Sequence, residues 1–257
     1  LDFWRQVRAE LVKLKPDVML LAESDEEIHH VGAFDLTYEG ALRNVLKKIA
    51  DGEKTQFDFH RAWIGQKYSF PKNALRLHWQ ANHDQPHALQ LYGDRVIYPA
   101  TTILLTLEGP VLLLMGAEFG DFKWKNNNSL FDPLQLSWES FDKKLFAHHR
   151  ALLKLRATHP ALSRGTLELV ENDNPRVISY MRVLGKERFL VAVSLLPKET
   201  EAVFSPRDLA RLGIAGTLRL TELFPAAGSP AERSLKGKAV TLGAYAGRVW
   251  RVDTMAK

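Results

Sequence analysis

The chain contains 257 residues, of which 46% are hydrophobic and 25% are charged, a composition typical of a globular protein with one large domain or two smaller ones. Lysine and arginine number 35 and aspartate and glutamate number 30, and because this excess of positive charge is scattered we expect no nucleic-acid partner. The absence of cysteine excludes disulfides, thiolate metal sites and a cysteine nucleophile, and the apolar runs are too short to span a bilayer.

The first two elements are a helix and a buried strand. Apolar residues recur at steps of three and four from Phe3 to Leu14, which predicts one face of a helix that Pro16 ends. The nearly continuous apolar run over residues 17–22 predicts a strand buried on both faces of a parallel sheet. This strand stops at Glu23.

The same alternation of helix and strand continues for about 90 residues. We predict a short strand near residues 33–35, a helix over 42–49, a strand over 74–81, a helix over 95–107 and a strand over 111–115. Such alternation indicates βαβ units and a parallel sheet. Because only about four strands are visible and a closed β/α barrel needs eight, the count predicts half a barrel.

The pattern changes after a further amphipathic helix over residues 141–158. From Thr166 onward the chain consists of short β-rich pieces separated by turn residues, which predicts an antiparallel sandwich. We therefore predict a β/α domain over residues 1–162 and an all-β domain over residues 163–257.

Two carboxylates follow predicted strands. Glu23 ends the strand over residues 17–22, and Asp84 follows the strand over residues 74–81. In a β/α barrel the carboxyl ends of the strands form the active-site face. At a strand end a carboxyl group is partly desolvated and can donate a proton, while a neighbouring carboxyl stays ionised if Asn82 and His83 donate hydrogen bonds to it. Such a pair of carboxyl groups is what glycoside hydrolysis requires.

Several segments together resemble one enzyme family, the α-amylase superfamily. Residues 3–8 with the strand ending at Glu23, residues 34–42, Asn82-His83-Asp84, residues 109–118 and residues 149–162 occur in the order of that family's landmarks. The resemblance implies a half TIM barrel equivalent to strands 5–8, followed by an all-β antiparallel sandwich. It implies that Glu23 is the general acid/base, that Asp84 stabilises the transition state, and that Asn82 and His83 bind substrate.

The resemblance also implies what the chain lacks. No residue matches the family's nucleophilic Asp, the Arg two residues before it or the usual calcium ligands. We therefore expect a fragment of a retaining glycosidase for α-linked glucans or maltooligosaccharides that is inactive alone. We expect no cofactor and no metal in this segment, and the resemblance places any calcium site in the missing half. The expected partners are the glucan and either the missing N-terminal half or a second copy.

Other interpretations remain open. The chain could be a non-catalytic carbohydrate-binding or assembly module, or a glycosyl-transferring member of the superfamily, such as a trehalose synthase-like enzyme or a glucanotransferase. His78, His83, Asp84 and His87 suggest a zinc site, although Pro86 prevents a helix from aligning His83 and His87. Four tryptophans are candidates either for sugar stacking or for the core: Trp63, Trp79, Trp124 and Trp138. The first residues show no signal peptide, which favours a soluble, cytoplasmic protein.

Overall fold

The structure is a computed structural model, and it describes residues 1–121, 135–214, 218–224, 232–235 and 239–253. Its first part contains a four-stranded parallel sheet in the order β1-β2-β3-β4. The strands are β1 (Leu21–Ala22), β2 (Leu36–Glu39), β3 (Leu75–Trp79) and β4 (Val111–Leu112). The alternation of helices with four parallel strands therefore confirms the predicted α/β class of this part.

The predicted strand near residues 33–35 is wrong in position, because β2 begins only at Leu36. Residues 33–35 contact the first helix instead. The Asp35 carboxylate accepts hydrogen bonds from the Arg8 guanidinium, at 2.7 and 2.8 Å, and from the Leu20 backbone N–H. The ring of Phe34 packs against that of Trp4. β1 is also shorter than the predicted strand over residues 17–22.

Helices connect and cover these strands. They are α1 (Asp2–Leu14), α2 (Ala41–Ala50), α3 (Gln56–Ser69), α4 (Ala88–Thr106), α5 (Lys143–Thr158) and α6 (Pro160–Arg164). The predicted helices correspond to α1, α2, α4 and α5, whereas α3 and α6 were not predicted. α4 begins seven residues before the predicted start, and Gly93, with φ of 73°, interrupts its helical backbone. Among the described residues, every helix is too short or too polar to cross a lipid bilayer.

The second part is built from antiparallel strands. A six-stranded sheet has the order β10-β9-β12-β7-β6-β5, and a two-stranded sheet pairs β11 with β8. The elements are β5 (Thr166–Leu169), β6 (Val177–Leu184), β7 (Glu187–Ser194), β8 (Thr200–Val203), α7 (Pro206–Arg211), β9 (Leu218–Phe224), β10 (Glu232–Leu235), β11 (Ala239–Leu242) and β12 (Gly247–Asp253). The predicted antiparallel β region is confirmed, and β10 and α7 are additions to it.

Buried side chains join the two parts. Arg182 on β6 is fully buried, and its guanidinium donates to the backbone carbonyls of Thr106, Leu162 and Gly165. The hydroxyls of Tyr180 and Thr106 lie 2.5 Å apart. One cluster of buried apolar side chains also contains residues of both the helical layer and the six-stranded sheet, such as Ile103 and Val191. The two parts therefore share a core. The proposed division at residue 163 therefore stays a prediction.

Candidate active site

The parallel sheet places two acidic segments at one edge. β1 ends at Ala22 and Glu23 follows it directly, while β3 ends at Trp79 and the Asn82-His83-Asp84 segment follows after two residues. Both strands pair with β2 in the parallel direction. Because the carboxyl ends of parallel strands lie at the same edge of a sheet, these residues converge.

His83 lies between the two carboxylates. Its Nε2 atom is 3.2 Å from Oε1 of Glu23 and 3.4 Å from Oδ2 of Asp84. One ligand-type atom from each of the three residues lies within 4.8 Å of the other two. The structure thus brings together Glu23, His83 and Asp84, the three residues that we call the carboxylate cluster.

Asn82 is buried next to the cluster and holds the backbone of Asp84. Its side chain is buried, and its Oδ1 atom accepts a hydrogen bond of 3.2 Å from the backbone N–H of Asp84. This bond closes a local turn of the kind that asparagine side chains favour. In this structure, Asn82 therefore fixes the backbone that carries Asp84.

The expected desolvation of the strand-end carboxyl groups is not found. The side chains of Glu23 and Asp84 are 53% and 49% exposed, and that of His83 is 40% exposed. β1 contains only two residues, and Leu21 beside the cluster is itself exposed. Too few apolar groups surround Glu23 to remove it from water.

Tyr38 on β2 also belongs to the site and was not predicted from the sequence. Burial raises the pKa of its hydroxyl group, and the negative charges of Glu23 and Asp84 raise it further. Its ring packs against Trp79 with the centroids 6.3 Å apart. Tyr38 therefore forms the part of the site nearest the middle of the sheet.

An ion pair holds the loop that follows Glu23. The Nη2 atom of Arg76 on β3 contacts the carboxylate of Asp25 and donates a hydrogen bond of 2.6 Å to the backbone carbonyl of Tyr38. Burial lowers the pKa of Arg76 to about 10. Because Asp25 is two residues beyond Glu23, this ion pair restricts where the Glu23 backbone can move.

The zinc alternative based on His78 and His87 is not supported. His78 Nδ1 lies 3.3 Å from Oε2 of Glu39, and Nδ1 of His87 accepts a hydrogen bond from the backbone N–H of Leu89 at the start of α4. One ring nitrogen of each imidazole thus already contacts a protein group, the Glu39 carboxylate or the Leu89 backbone N–H. Among the described residues, the group that could hold a metal ion is the carboxylate cluster itself.

The candidate tryptophans have different environments. Trp63 and Trp79 are buried, whereas Trp138 is exposed and stacks on Phe119 with the ring centroids 5.2 Å apart. Trp124 lies outside the described residues. Of the described candidates, Trp138 presents the largest exposed surface to solvent, and a role in sugar stacking stays a prediction.

Comparisons with known proteins extend this picture. No protein-family model matches the chain. The α-amylase MalA of Haloarcula japonica is 24% identical over 200 residues, covering 75% of this chain and 29% of that protein. A cyclomaltodextrinase of a Bacillus species is 27% identical over 206 residues, covering 75% of this chain and 36% of that protein. The resemblance to α-amylase family enzymes is confirmed.

Solved α-amylase structures agree with the sequence relatives. A noncanonic maltogenic α-amylase, AmyB of Thermotoga neapolitana, superposes with a TM-score of 0.83 at 20% identity, covering 99% of this chain and 59% of that one. At this identity the likeness shows the α-amylase fold alone. The chain spans about a third of the length of the two curated relatives described above.

Proposed function

We propose that this chain is part of a retaining α-amylase-type glycosidase that acts on α-linked glucans or maltooligosaccharides. In this proposal β1 to β4 are equivalent to strands 5–8 of a TIM barrel. The observation that carries it is the contact of one imidazole with two carboxylates, Glu23 and Asp84, at the carboxyl edge of the parallel sheet. Relatives named as α-amylases and a cyclomaltodextrinase support the substrate class.

The proposed chemistry assigns one role to each residue of the cluster. Glu23 protonates the glycosidic oxygen as the bond breaks, and then removes a proton from the incoming water. Asp84 accepts hydrogen bonds from sugar hydroxyls and stabilises the positive charge that develops on the ring. His83, in contact with both carboxylates, donates a hydrogen bond to a sugar hydroxyl once substrate separates the two acids.

We propose that the 257 residues alone do not hydrolyse glucans. A retaining mechanism with Glu23 as acid and Asp84 as stabiliser needs another carboxylate to attack the sugar carbon. Among the described residues, no further acidic side chain places an oxygen within 4.8 Å of the ligand-type atoms of Glu23, His83 and Asp84, and no residue of the sequence matches the family's nucleophile. Without this nucleophile the cluster binds and protonates, but it does not form the covalent intermediate.

The nucleophile would then come from another polypeptide segment. β1 and β4 are the edges of the described parallel sheet, and α1 has no buried residue. The exposed apolar residues Phe3, Trp4, Met19 and Leu21 belong to α1, to β1 and to the segment between them. Parallel sheets are normally covered on both faces, so we propose that an N-terminal half or a second copy of the chain covers this surface.

Two alternative functions compete with this proposal. A glycosyl-transferring enzyme would use the same cluster and would be distinguished by longer oligosaccharide products. A non-catalytic carbohydrate-binding or assembly module would tolerate loss of Glu23 without loss of function. The cytoplasmic location expected from the sequence stays a prediction.

Calorimetric titration with maltoheptaose tests the proposal. We expect the chain to bind this sugar, Asp84→Asn to weaken binding by about tenfold because a charged hydrogen-bond acceptor is lost, and Glu23→Gln to bind nearly normally. Glu26→Gln, an exposed change three residues beyond Glu23, is the matched control. Absence of binding, or equal binding by Asp84→Asn and the control, would contradict the proposal. Chromatography should find no hydrolysis by the chain alone.

A further inference from the structure

A cleft lies between α3 and the start of β3. Its volume is about 560 Å³, within the range of sites that hold small molecules. Aromatic side chains form much of its wall, namely those of Trp63, Tyr68 and Phe70. None of its lining residues belongs to the carboxylate cluster, so we call it the α3 cleft and treat it separately.

Several hydrogen-bond donors on residues that line the α3 cleft have no partner in the described part of the chain. They are Nε1 of Trp63, Nε2 of Gln66, and both Nε and Nη1 of Arg76, all shielded from solvent and unbonded among the described residues. Arg76 is only 8% exposed. An unbonded buried donor destabilises the fold, and a charged one does so more strongly, so a group of four such donor atoms requires an explanation.

The remaining charges of the α3 cleft are mainly positive. Lys67 and Lys72 are exposed lining residues, and neither forms an ion pair within the part of the chain that the structure describes. Of the described residues that line the cleft, Glu108 is the single acidic one, and its Oε2 atom already accepts a hydrogen bond of 2.9 Å from the Leu167 backbone N–H. The cleft thus offers donors and positive charge with little to neutralise them.

We propose that the α3 cleft binds an anionic ligand that carries a carboxylate or phosphate group on a flat apolar body. The anion would be held by Arg76, Gln66 and the indole N–H of Trp63 once these side chains rotate their shielded donor atoms towards the cleft. Lys67 and Lys72 would attract it at the opening. Charged acceptors make the stronger class of hydrogen bonds, so they match this set of donors. The flat body packs against the aromatic wall, much as the guanidinium of Arg76 already lies 3.7 Å from the ring centroid of Phe70.

The proposal does not depend on a glycosidase function. Arg76 lies between the two sites, because its Nη2 atom contacts Asp25 in the loop after Glu23 while its Nε and Nη1 atoms have no partner among the described residues. A bound anion would therefore share the guanidinium with Asp25 and leave the carboxylate cluster in place.

The experiment is a calorimetric titration of the full chain with naphthalene-2-carboxylate, 2-naphthyl phosphate and the neutral naphthalene-2-carboxamide. We expect at least one anion to bind about tenfold more tightly than the carboxamide, and binding to weaken as salt is raised. The anion that binds more tightly identifies the head group. Maltoheptaose at saturation should leave the affinity unchanged, which separates this site from the carboxylate cluster.

Two sets of variants locate the binding. Lys67→Gln with Lys72→Gln should weaken anion binding about fivefold, while Lys48→Gln with Lys154→Gln, the same charge change at exposed lysines that do not line the cleft, should not. Trp63→Phe keeps an aromatic ring but removes the indole N–H, so it should weaken binding of the anion more than binding of the carboxamide. Equal affinities for the anions and the carboxamide, or equal effects of the two lysine pairs, would overturn the proposal.

Discussion

Gly247 lies directly against Thr102. A Cβ atom added to Gly247 would come within 2.5 Å of Oγ1 of Thr102 and within 2.7 Å of its Cβ. Gly247 begins β12 and Thr102 belongs to α4, so this contact brings the six-stranded sheet close to the helical layer. Thr102 Oγ1 also donates a hydrogen bond of 3.0 Å to the Tyr98 carbonyl, which restrains the side chain.

Gly247→Ala should therefore destabilise the chain. We expect the free energy of unfolding to fall by about 2 kcal/mol, because either β12 or α4 must move to relieve the overlap. Urea denaturation followed by circular dichroism measures this change. Gly243→Ala is the control, since a Cβ at that position meets only the Ala246 Cβ atom at 3.8 Å. Equal denaturation midpoints for the two variants would show that the contact does not constrain packing.

Tyr38 provides a test of the charges in the site. Glu23→Gln removes one of the two negative charges that raise the pKa of the Tyr38 hydroxyl, so this pKa should fall. The pKa should remain above its usual value because burial, the larger cause, is unchanged. NMR titration of ¹³C-labelled tyrosine measures it, with Glu26→Gln as the control. No difference between the variants would place Glu23 away from Tyr38.

The sequence predicts much of this site because two simple rules apply to it. Glu23 and Asp84 both follow strands of one parallel sheet, and parallel strands end at a common edge, so their meeting is predictable without coordinates. The positions of Tyr38 and Arg76 could not be predicted in this way. They depend on how β2 and β3 align side by side, with Tyr38 opposite Leu77 and Thr37 opposite Arg76. The periodicity of a single sequence does not show this alignment.

The helices show the same distinction between local and long-range signals. α1 and α2 were predicted because their apolar residues recur along one face. α3 was missed because its apolar residues are divided between the core and solvent, with Phe59 buried and Phe57 exposed. A local signal was nevertheless present. Thr55 and Asp58 form a capping box at its start, in which the Thr55 backbone N–H donates to Oδ2 of Asp58 at 3.0 Å.

His60 on α3 should make stability depend on pH. Burial lowers its pKa to about 4, against a small opposing effect of Asp208. The unfolded chain binds a proton near pH 6.5, whereas the folded chain does so only near pH 4, so the free energy of unfolding should fall as pH decreases between these values. The loss attributable to His60 over this range is on the order of 3 kcal/mol. His60→Gln should reduce this slope, measured by urea denaturation at several pH values, while unchanged slopes would contradict the burial of a neutral His60.

The edge of β1 should control self-association. Met19 and Leu21 are exposed beside unpaired backbone groups, and lysine at a sheet edge opposes pairing with another strand. If a second copy covers this edge, light scattering should detect oligomers of the chain alone, and Met19→Lys with Leu21→Lys should shift them towards monomers. Leu184→Lys with Val203→Lys makes the same change at exposed residues of the antiparallel sheets and should leave association unaltered.

If the unmodified chain is monomeric at all concentrations, self-pairing is wrong and the N-terminal half remains the proposed partner of this edge. If both double variants reduce association equally, the interaction is a general apolar one and does not involve the edge of β1.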